Sequence, residues 1–449
     1  MANSQLAIIV LAAGMGTRMK SDLPKVMHPL AGRPMVQHLM DTVSGLNPDK
    51  VVVVVGPGMD AVDKAVAPAR TVIQAERLGT GHAVMQARAE LQDFTGDVLV
   101  LYGDTPLITR ATLDRMLEER RGPKDPAVVV LGFKPRDPAY YGRLVVGAEG
   151  LKAIVEWKDA NQDQREIPLC NSGVLAIDGK RLWALADRIT NENAKGEYYL
   201  TDLVALARAD GDDCSFVLGE EEELLGVNSR AELACAEAII QTRLREHAME
   251  NGATLIDPQS VWFAWDTRLG RDVVVWPHVV FGPGVTVGDG VTIKGFCHFE
   301  KCRIDDGADV GPYARLRPGA EIGARAHVGN FVEIKKAVVE EGAKVNHLTY
   351  IGDARVGSGA NVGAGTITCN YDGFNKSFTD IGANAFIGSN SSLVAPVKIG
   401  DGAIVGAGSV VTRNVSAGAL AVTRANQMEL SEWADRFRAK KRENKASGK

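Results

Sequence analysis

Two stretches near the N-terminus gather the residues with the clearest chemistry. In Leu11-Ala12-Ala13-Gly14-Met15-Gly16-Thr17-Arg18 the small residues leave backbone N–H groups bare enough to wrap phosphate oxygens, and Arg18 adds a planar cationic fork. Pro24-Lys25 follows with a stiffened turn and an ammonium. In Tyr102-Gly103-Asp104 a carboxylate stands just past the apolar run 98–101, where a hard cation bridging phosphates needs an oxygen ligand. The third glycine of a dinucleotide fingerprint is missing, Met19 standing in its place, and there is no Gly-Lys-Ser/Thr of a P-loop. A Gly-x-Gly alone usually marks a turn; joined to Lys25 and Asp104 it points to phosphate binding.

A second concentration of reactive side chains lies in the C-terminal half. Lys335-Lys336, Asn346-His347-Leu348-Thr349-Tyr350 and the polar, glycine-rich 368–376 interrupt an otherwise apolar pattern, and the last reads as a protruding loop. His347 is a candidate general base, since an imidazole titrates near ~6.5, with a carboxylate such as Glu333 to orient it. A lone histidine in a turn is more often structural, so chemistry alone leaves both readings open. Between the two regions, Tyr141-Gly142-Arg143, Glu156-Trp157, Asn171-Ser172-Gly173 and Gly196-Glu197-Tyr198-Tyr199 are polar-aromatic clusters that suit sugar hydroxyls or plain surface loops equally.

The elements that must position these residues fall into two kinds. Residues 6–11, 51–55, 71–73, 98–102 and 127–133 read as buried strands, with helices between them at 35–44 and 81–91, which predicts a doubly wound, Rossmann-like α/β domain. Ligands in such sheets sit beyond the carboxyl ends of the strands. Ser229 with Glu232 forms a capping box, and Leu233, Ala236, Ile240, Leu244 and His247 mark one face of a connecting helix that ends at Asn251-Gly252. Beyond it, Ile304, Val310, Leu316, Ile322, Val328 and Ile334 recur every six residues. Val273, Val279, Val285 and Val291 keep that step upstream, and Ile381, Ile387, Leu393, Ile399, Val405 and Val411 keep it downstream. A period of six fits neither helix nor heptad and predicts a parallel β-helix of hexapeptide repeats. One coil cannot bury its own aliphatics; coils stacked about 4.8 Å apart make a continuous apolar column. At about 18 residues per coil, 252–424 holds about nine coils once a loop is removed.

With 449 residues the chain is long enough for two or more cores, and a net charge of −5 supplies no basic field for nucleic acid. Residues 1–5 carry no positive side chain, and the longest apolar run, 6–13, is too short to span a bilayer. The expected location is the cytoplasm. Six cysteines without a Cys-x-x-Cys pair argue against a zinc or disulfide framework.

Loop 11–18, the Pro24-Lys25 spacing and Asp104 together resemble the signature of sugar-1-phosphate nucleotidylyltransferases. Phe331-Val332-Glu333, His347-Leu348-Thr349-Tyr350 and the run from Gly363-Ala364-Gly365 to Asn370-Tyr371-Asp372-Gly373 extend this over nearly the whole chain. The chain looks like the bacterial bifunctional N-acetylglucosamine-1-phosphate uridylyltransferase/glucosamine-1-phosphate N-acetyltransferase family, which makes UDP-N-acetylglucosamine for cell-envelope polymers. The resemblance implies a uridylyltransferase domain at 1–228, a linker helix at 229–251, a left-handed β-helix acetyltransferase domain at 252–424 and a basic tail at 425–449. It implies that Leu11, Ala12, Ala13, Gly14, Lys25, Gln74, Gly79, Thr80, Tyr102 and Gly103 contact UTP, that Gly142, Glu156 and Asn171 contact the sugar, and that Asp104 and Asn228 hold Mg2+. In the β-helix it implies His347 as base, Arg317 and Lys335 on the phosphate of glucosamine 1-phosphate, and Tyr350, Asn361 and Lys376 on the sugar. Ala364, Asn370, Tyr371, Ser389, Ala407 and Arg424 match positions that contact acetyl-CoA, and a homotrimer follows because these positions come from more than one chain. One departure stands out: many relatives carry Lys after Gly14, whereas this chain has Met15, so one phosphate contact is missing or moved to Arg18.

Two rivals remain at this level. One is a single-activity nucleotidylyltransferase whose β-helix serves assembly only; the other is a non-catalytic regulatory subunit of similar architecture, against which intact Lys25 and Asp104 speak. The tail from Glu432 has seven Lys or Arg against three acids and reads as a solvated helix.

Overall fold

The computed structural model describes residues 5–138 and 140–446, so the last three residues of the tail and the first four of the chain lie outside it. Contacts divide the chain into two compact units, Met1–Glu246 and His247–Lys449.

Among the described residues of the first unit, nine strands form one sheet, whose main path runs Cys214–Leu218, Val128–Phe133, Cys170–Asp178, Asp97–Tyr102, Leu6–Leu11, Lys50–Val55, Arg70–Ile73. All neighbours are parallel except Cys170–Asp178, which runs antiparallel to both of its own. The central strand Leu6–Leu11 is apolar throughout and covered on both faces, as the unbroken run of aliphatics requires. Its register aligns Leu11 with Tyr102 on one side and with Val54 on the other. Two motifs far apart in sequence therefore end side by side at the carboxyl edge.

The helix expected over 81–91 is two pieces, Thr80–Met85 and Arg88–Leu91. At the break the amides of Gln86 and Ala87 bond to carbonyls three residues back, tightening the turn and ending the α-helical ladder. A hairpin, Arg143–Gly147 with Gly150–Val155, leans off the antiparallel strand through the Cys170 and Arg143 pairing. The helix Arg230–Glu250 buries Ala236 and Ile240 against Leu30, Met35 and Leu107, while His247 is exposed, as a solvated helix residue would be.

The second unit is a stack of short parallel strands in which each hexad aliphatic is a buried plug. Ile304, Val310, Leu316, Ile322, Val328 and Ile334 are all buried, and so are the upstream and downstream sets. One face is a ladder of 10 strands from Thr254–Leu255 to Leu420–Ala421, one rung more than the coil estimate. The other two faces merge into a sheet of 15 strands through the long strands Glu333–Val339 and Tyr350–Val356, which continue around a corner. Around Lys335-Lys336 the register is therefore shortened rather than broken. Lys336 and Asp353 turn these corners with φ of 45°, in the left-handed region. Within the column, Phe263 and Phe281 stack with centroids 5.0 Å apart, and Phe299 packs against Phe281 at 5.6 Å with its ring tilted. The protruding loop is present after the strand Ile367–Cys369, closed by antiparallel pairing of Tyr371 with Lys376 and turned by Asp372 Oδ1, which accepts the amides of Phe374 and Asn375. Among the described residues no helix is long and apolar enough to cross a membrane.

Candidate active sites

The first unit carries a cleft at the carboxyl edge of its sheet. Leu11, Ala12, Ala13, Gly14, Lys25, Gln74, Gly79, Thr80, Tyr102 and Asp104 line it, so nearly every expected nucleotide contact lies on one wall system. Gly103 lies just behind them, its N–H bonded to the Leu11 carbonyl at 2.9 Å. Gly16 has φ of 66°, and a Cβ there would come within 2.6 Å of the Lys25 side chain, so the loop can fold over Lys25 only with glycine at that point. Arg18 is exposed on the short helix Thr17–Met19 and is not among the cleft-lining residues.

The Lys25 ammonium bridges two oxygens, Asp104 Oδ2 and, at 2.9 Å, Asn228 Oδ1. A carboxylate and an amide oxygen converging on one cation are a donor set that suits Mg2+, which takes few protein oxygens and shares the rest of its shell with phosphate and water. Among the described residues there is no cluster of three or more His, Cys, Asp or Glu that would make a closed all-protein metal cage. Asn228 is tied to the following helix: Glu232 Oε2 accepts its amide at 2.8 Å and the Ser229 hydroxyl at 2.9 Å. The capping carboxylate thus serves the residue before Ser229 as well as Ser229 itself.

Gly142, Glu156 and Asn171 meet beside this cleft, in a recess that also includes Tyr102, Thr80 and Glu197. Gly142 and Glu156 flank the base of the hairpin, and the Asn171 amide donates to the Gly142 carbonyl at 2.8 Å. A bulge between Asn171 and Leu175 brings Gly173 so close to Tyr102 that a Cβ would lie 2.8 Å from the ring. Burial pushes the Glu156 carboxyl above its usual range, with Asp159 and Asp202 adding to the rise and Lys195 opposing it. Burial likewise pushes the Tyr199 hydroxyl up to about 12, helped by Asp159, Glu156 and Glu197. The recess thus combines hydroxyl, amide and carboxyl groups on a desolvated floor, which suits a neutral polyol better than an anion.

In the second unit His347 ends the strand Lys344–His347, in register with Asn330 one coil below. Its Nδ1 lies 2.6 Å from Asn330 Oδ1. An amide oxygen only accepts, so Nδ1 is the donor, and in the neutral ring that leaves the lone pair on Nε2. Glu333, expected to orient the ring, does not. It stands past the corner, in register with Tyr350, and accepts from Arg317 Nη1 at 2.8 Å. The side chain bonded to the ring is Asn330, not a carboxylate.

Arg317, Lys335 and Lys376 form a cationic group near Tyr350. Lys335 follows Ile334, the partner of Leu316, and the hairpin loop brings Lys376 against it. The close approach and charge of Lys376, and then the charge of Arg317, hold the Lys335 ammonium below its usual range. Such crowding of cations is relieved by a bound anion. Asn361 is not part of this group: it sits on the other face, between Lys344 and Phe386.

The remaining candidates climb one corner of the column. The His347 carbonyl accepts from Gly365, the Ala364 carbonyl from Asn390, the Ser389 carbonyl from Gly408, and the Ala407 carbonyl from Arg424 Nη1 at 2.6 Å. Asn370 and Tyr371 lie in the loop, where Asn370 Nδ2 donates to Asp353 at 2.5 Å. The sequence reading missed Asn330 and Arg77. Asn330 stands 17 positions before His347, one coil away, so the coil repeat was the available signal. Arg77 follows Gln74 by three residues and offered no pattern.

A phosphate-wrapping loop with a cation-accepting pair on an α/β sheet, joined to a hexapeptide β-helix bearing a poised histidine, defines a nucleotidyltransferase fused to a hexapeptide transferase. The MobA-like NTP transferase domain matches residues 8–167, and the bacterial transferase hexapeptide (six repeats) matches 266–301 and 378–413. Among curated proteins, the chain is 76% identical to "Bifunctional protein GlmU" of Paramagnetospirillum magneticum over 99% of both chains. It is 64% identical to the protein of that name from Rhodospirillum rubrum, over 97% of this chain and 98% of that one, and 55% identical to the one from Sphingopyxis alaskensis, over 99% of both. The chain belongs to the bifunctional GlmU family, and its second unit is the left-handed β-helix of hexapeptide transferases.

Proposed function

We propose that the protein makes UDP-N-acetylglucosamine in two steps on two separate sites: acetyl transfer from acetyl-CoA to glucosamine 1-phosphate, then uridylyl transfer from UTP to N-acetylglucosamine 1-phosphate with release of pyrophosphate. Residues 1–228 carry the second reaction, 252–424 the first, 229–251 connect them, and 425–449 form a basic tail. The observation that carries this reading is that each unit brings its own candidate groups together: Lys25 with Asp104 and Asn228 under the glycine loop, and His347 bonded to Asn330, whose coil also carries Lys335 and stacks on the coil of Arg317.

In the acetyl-transfer site, Arg317 and Lys335 hold the sugar phosphate, while Tyr350 and Lys376 set the ring. Glu333 restrains Arg317. The 2-amino nitrogen attacks the thioester carbon; its proton passes to His347 Nε2, the carbon–sulfur bond breaks, and the proton goes to the departing CoA thiolate. A positioned base typically contributes about 10² to 10⁴-fold. Acetyl-CoA lies along the corner marked by Ala364, Ser389, Ala407 and Arg424, with Asn370 and Tyr371 beside it. Asn361 lies on the ladder of the His347 strand and apart from Arg317 and Lys335, so a site that joins it to them draws on neighbouring copies, and a homotrimer is the assembly that supplies them.

In the uridylyl-transfer site, a phosphate oxygen of N-acetylglucosamine 1-phosphate attacks the α-phosphorus of UTP, and the bond to the pyrophosphate oxygen breaks. There is no covalent enzyme intermediate, so catalysis is positioning and charge neutralisation. Loop amides from Leu11 to Gly14 wrap phosphate oxygens, with Lys25 inside the cleft and Arg18 exposed on the short helix beyond the loop. Gln74, Gly79 and Thr80 receive the nucleoside, and Gly142, Glu156 and Asn171 receive the sugar. Asp104 and Asn228 are the residues that would hold Mg2+, which when bound neutralises triphosphate charge. Both reactions belong in the cytoplasm, where UTP and acetyl-CoA are found.

The test is separability. His347→Ala is expected to abolish acetyl transfer and spare pyrophosphate release; Asp104→Ala is expected to do the reverse. A single substitution that stops both reactions in protein with an unchanged melting profile contradicts two independent sites.

A further inference from the structure

The phosphate loop lacks a cation at Met15, which is 48% exposed and offers no charge to a triphosphate. A different segment brings one to the same place. Arg77 Nε donates to the Ala13 carbonyl at 2.9 Å, and Arg77 lines the cleft together with Gly14, Lys25 and Asp104. Its Nη2 lies so near Gly56 that a Cβ on that glycine would approach within 3.0 Å, so the fork sits against the end of the strand Lys50–Val55. Among the described residues Arg77 has no carboxylate partner and no second hydrogen-bond acceptor.

We propose that Arg77 is the cation that grips the UTP triphosphate and the pyrophosphate it becomes, beside a loop position where Met15 supplies no charge. The inference rests on the uridylyl-transfer reading and adds a residue to it. Its physical basis is that an unpaired guanidinium keeps planar donors that match two phosphate oxygens at once. Anchoring through Nε costs none of the Nη donors and fixes the fork before substrate arrives. A reaction without covalent catalysis depends on such preset charge.

The alternative is that Arg77 only braces the loop through Ala13. Steady-state kinetics on the full chain separate the two, with Arg77→Gln, Arg77→Lys and the double variant Met15→Lys/Arg77→Gln measured in both directions. Loss of a charge-assisted contact predicts that Arg77→Gln raises KM for UTP and for pyrophosphate by about tenfold or more, with KM for N-acetylglucosamine 1-phosphate unchanged. Arg77→Lys is expected to fall between, and Met15→Lys to restore most of what Arg77→Gln loses. A loss that falls equally on UTP and the sugar phosphate, or that Met15→Lys does not relieve, makes Arg77 a strut and overturns the proposal. Calorimetric titration with UTP and Mg2+ distinguishes this from failure of the underlying reading. Wild type that binds UTP without releasing pyrophosphate contradicts the proposed reaction, whereas wild type and Arg77→Gln binding UTP equally contradict the role of Arg77.

Discussion

Replacing Asn330 with alanine tests how His347 is made into a base. Among the described residues the imidazole has one hydrogen bond to a side chain, from Nδ1 to Asn330 Oδ1 at 2.6 Å, between two paired strand ends. Without it both tautomers and several ring orientations become available, and only part of the population presents an Nε2 lone pair to the amine. A hydrogen bond of this kind is worth about 0.5–1.5 kcal/mol net, which corresponds to a roughly 2- to 12-fold fall in kcat for acetyl transfer. KM for acetyl-CoA is expected to hold, because Asn330 is not one of the corner residues assigned to it. Asn330→Asp keeps an acceptor but adds a negative charge beside Nδ1, which favours the imidazolium. The acid limb of the pH–rate profile should then move up by about one unit, with the plateau recovered at higher pH. Thiol release followed with a chromogenic disulfide across pH 6 to 9 measures both effects. Full activity in Asn330→Ala, or an acid limb that stays put in Asn330→Asp, would refute the assignment of Asn330 as the positioning residue.

Glu156→Gln probes the sugar recess. A carboxyl raised on folding adds stability below its unfolded pKa and loses it as pH climbs through the folded value. The neutral isostere should therefore melt higher than wild type at pH 8, an advantage that shrinks as pH falls towards the ordinary carboxyl range near ~4.3, while KM for N-acetylglucosamine 1-phosphate rises. Equal melting at both pH values would show that the carboxyl is solvated. Lys335→Ala should raise KM for glucosamine 1-phosphate several-fold and weaken its salt dependence, with KM for acetyl-CoA unmoved, because the crowded cations lose one member. An unchanged KM would place the phosphate elsewhere. Phe281→Ala opens a cavity between Phe263 and Phe299 and should cost about 3–5 kcal/mol in denaturant melts of the second unit; a cost under about 1 kcal/mol would mean the column collapses to fill it.

The large architecture was legible because its periods are strict. Six-residue spacing of buried aliphatics follows from three flat faces stacked in register, and every hexad residue named from the sequence is buried. The nucleotide cleft was legible for a related reason: Leu11 and Tyr102 end neighbouring parallel strands, so the residues just beyond them must meet. What escaped is what depends on the path between elements. Glu333 is only three residues from Asn330, yet a corner separates their side chains, and the nearer in register, not the more acidic, holds His347. Arg77 reaches the phosphate loop from another strand's end, a contact that no local pattern encodes. The split of the helix over 81–91 turns on two amides choosing nearer carbonyls, a choice too small to read from propensity.

The most direct measurement is a paired assay on the purified protein. In one reaction glucosamine 1-phosphate and acetyl-CoA are supplied and free thiol is followed; in the other N-acetylglucosamine 1-phosphate, UTP and Mg2+ are supplied and pyrophosphate is followed. Both signals are predicted, each dependent on its own sugar phosphate. Pyrophosphate without thiol would make the β-helix an assembly scaffold and contradict the reading of His347; thiol without pyrophosphate would contradict the reading of Lys25, Asp104 and Asn228.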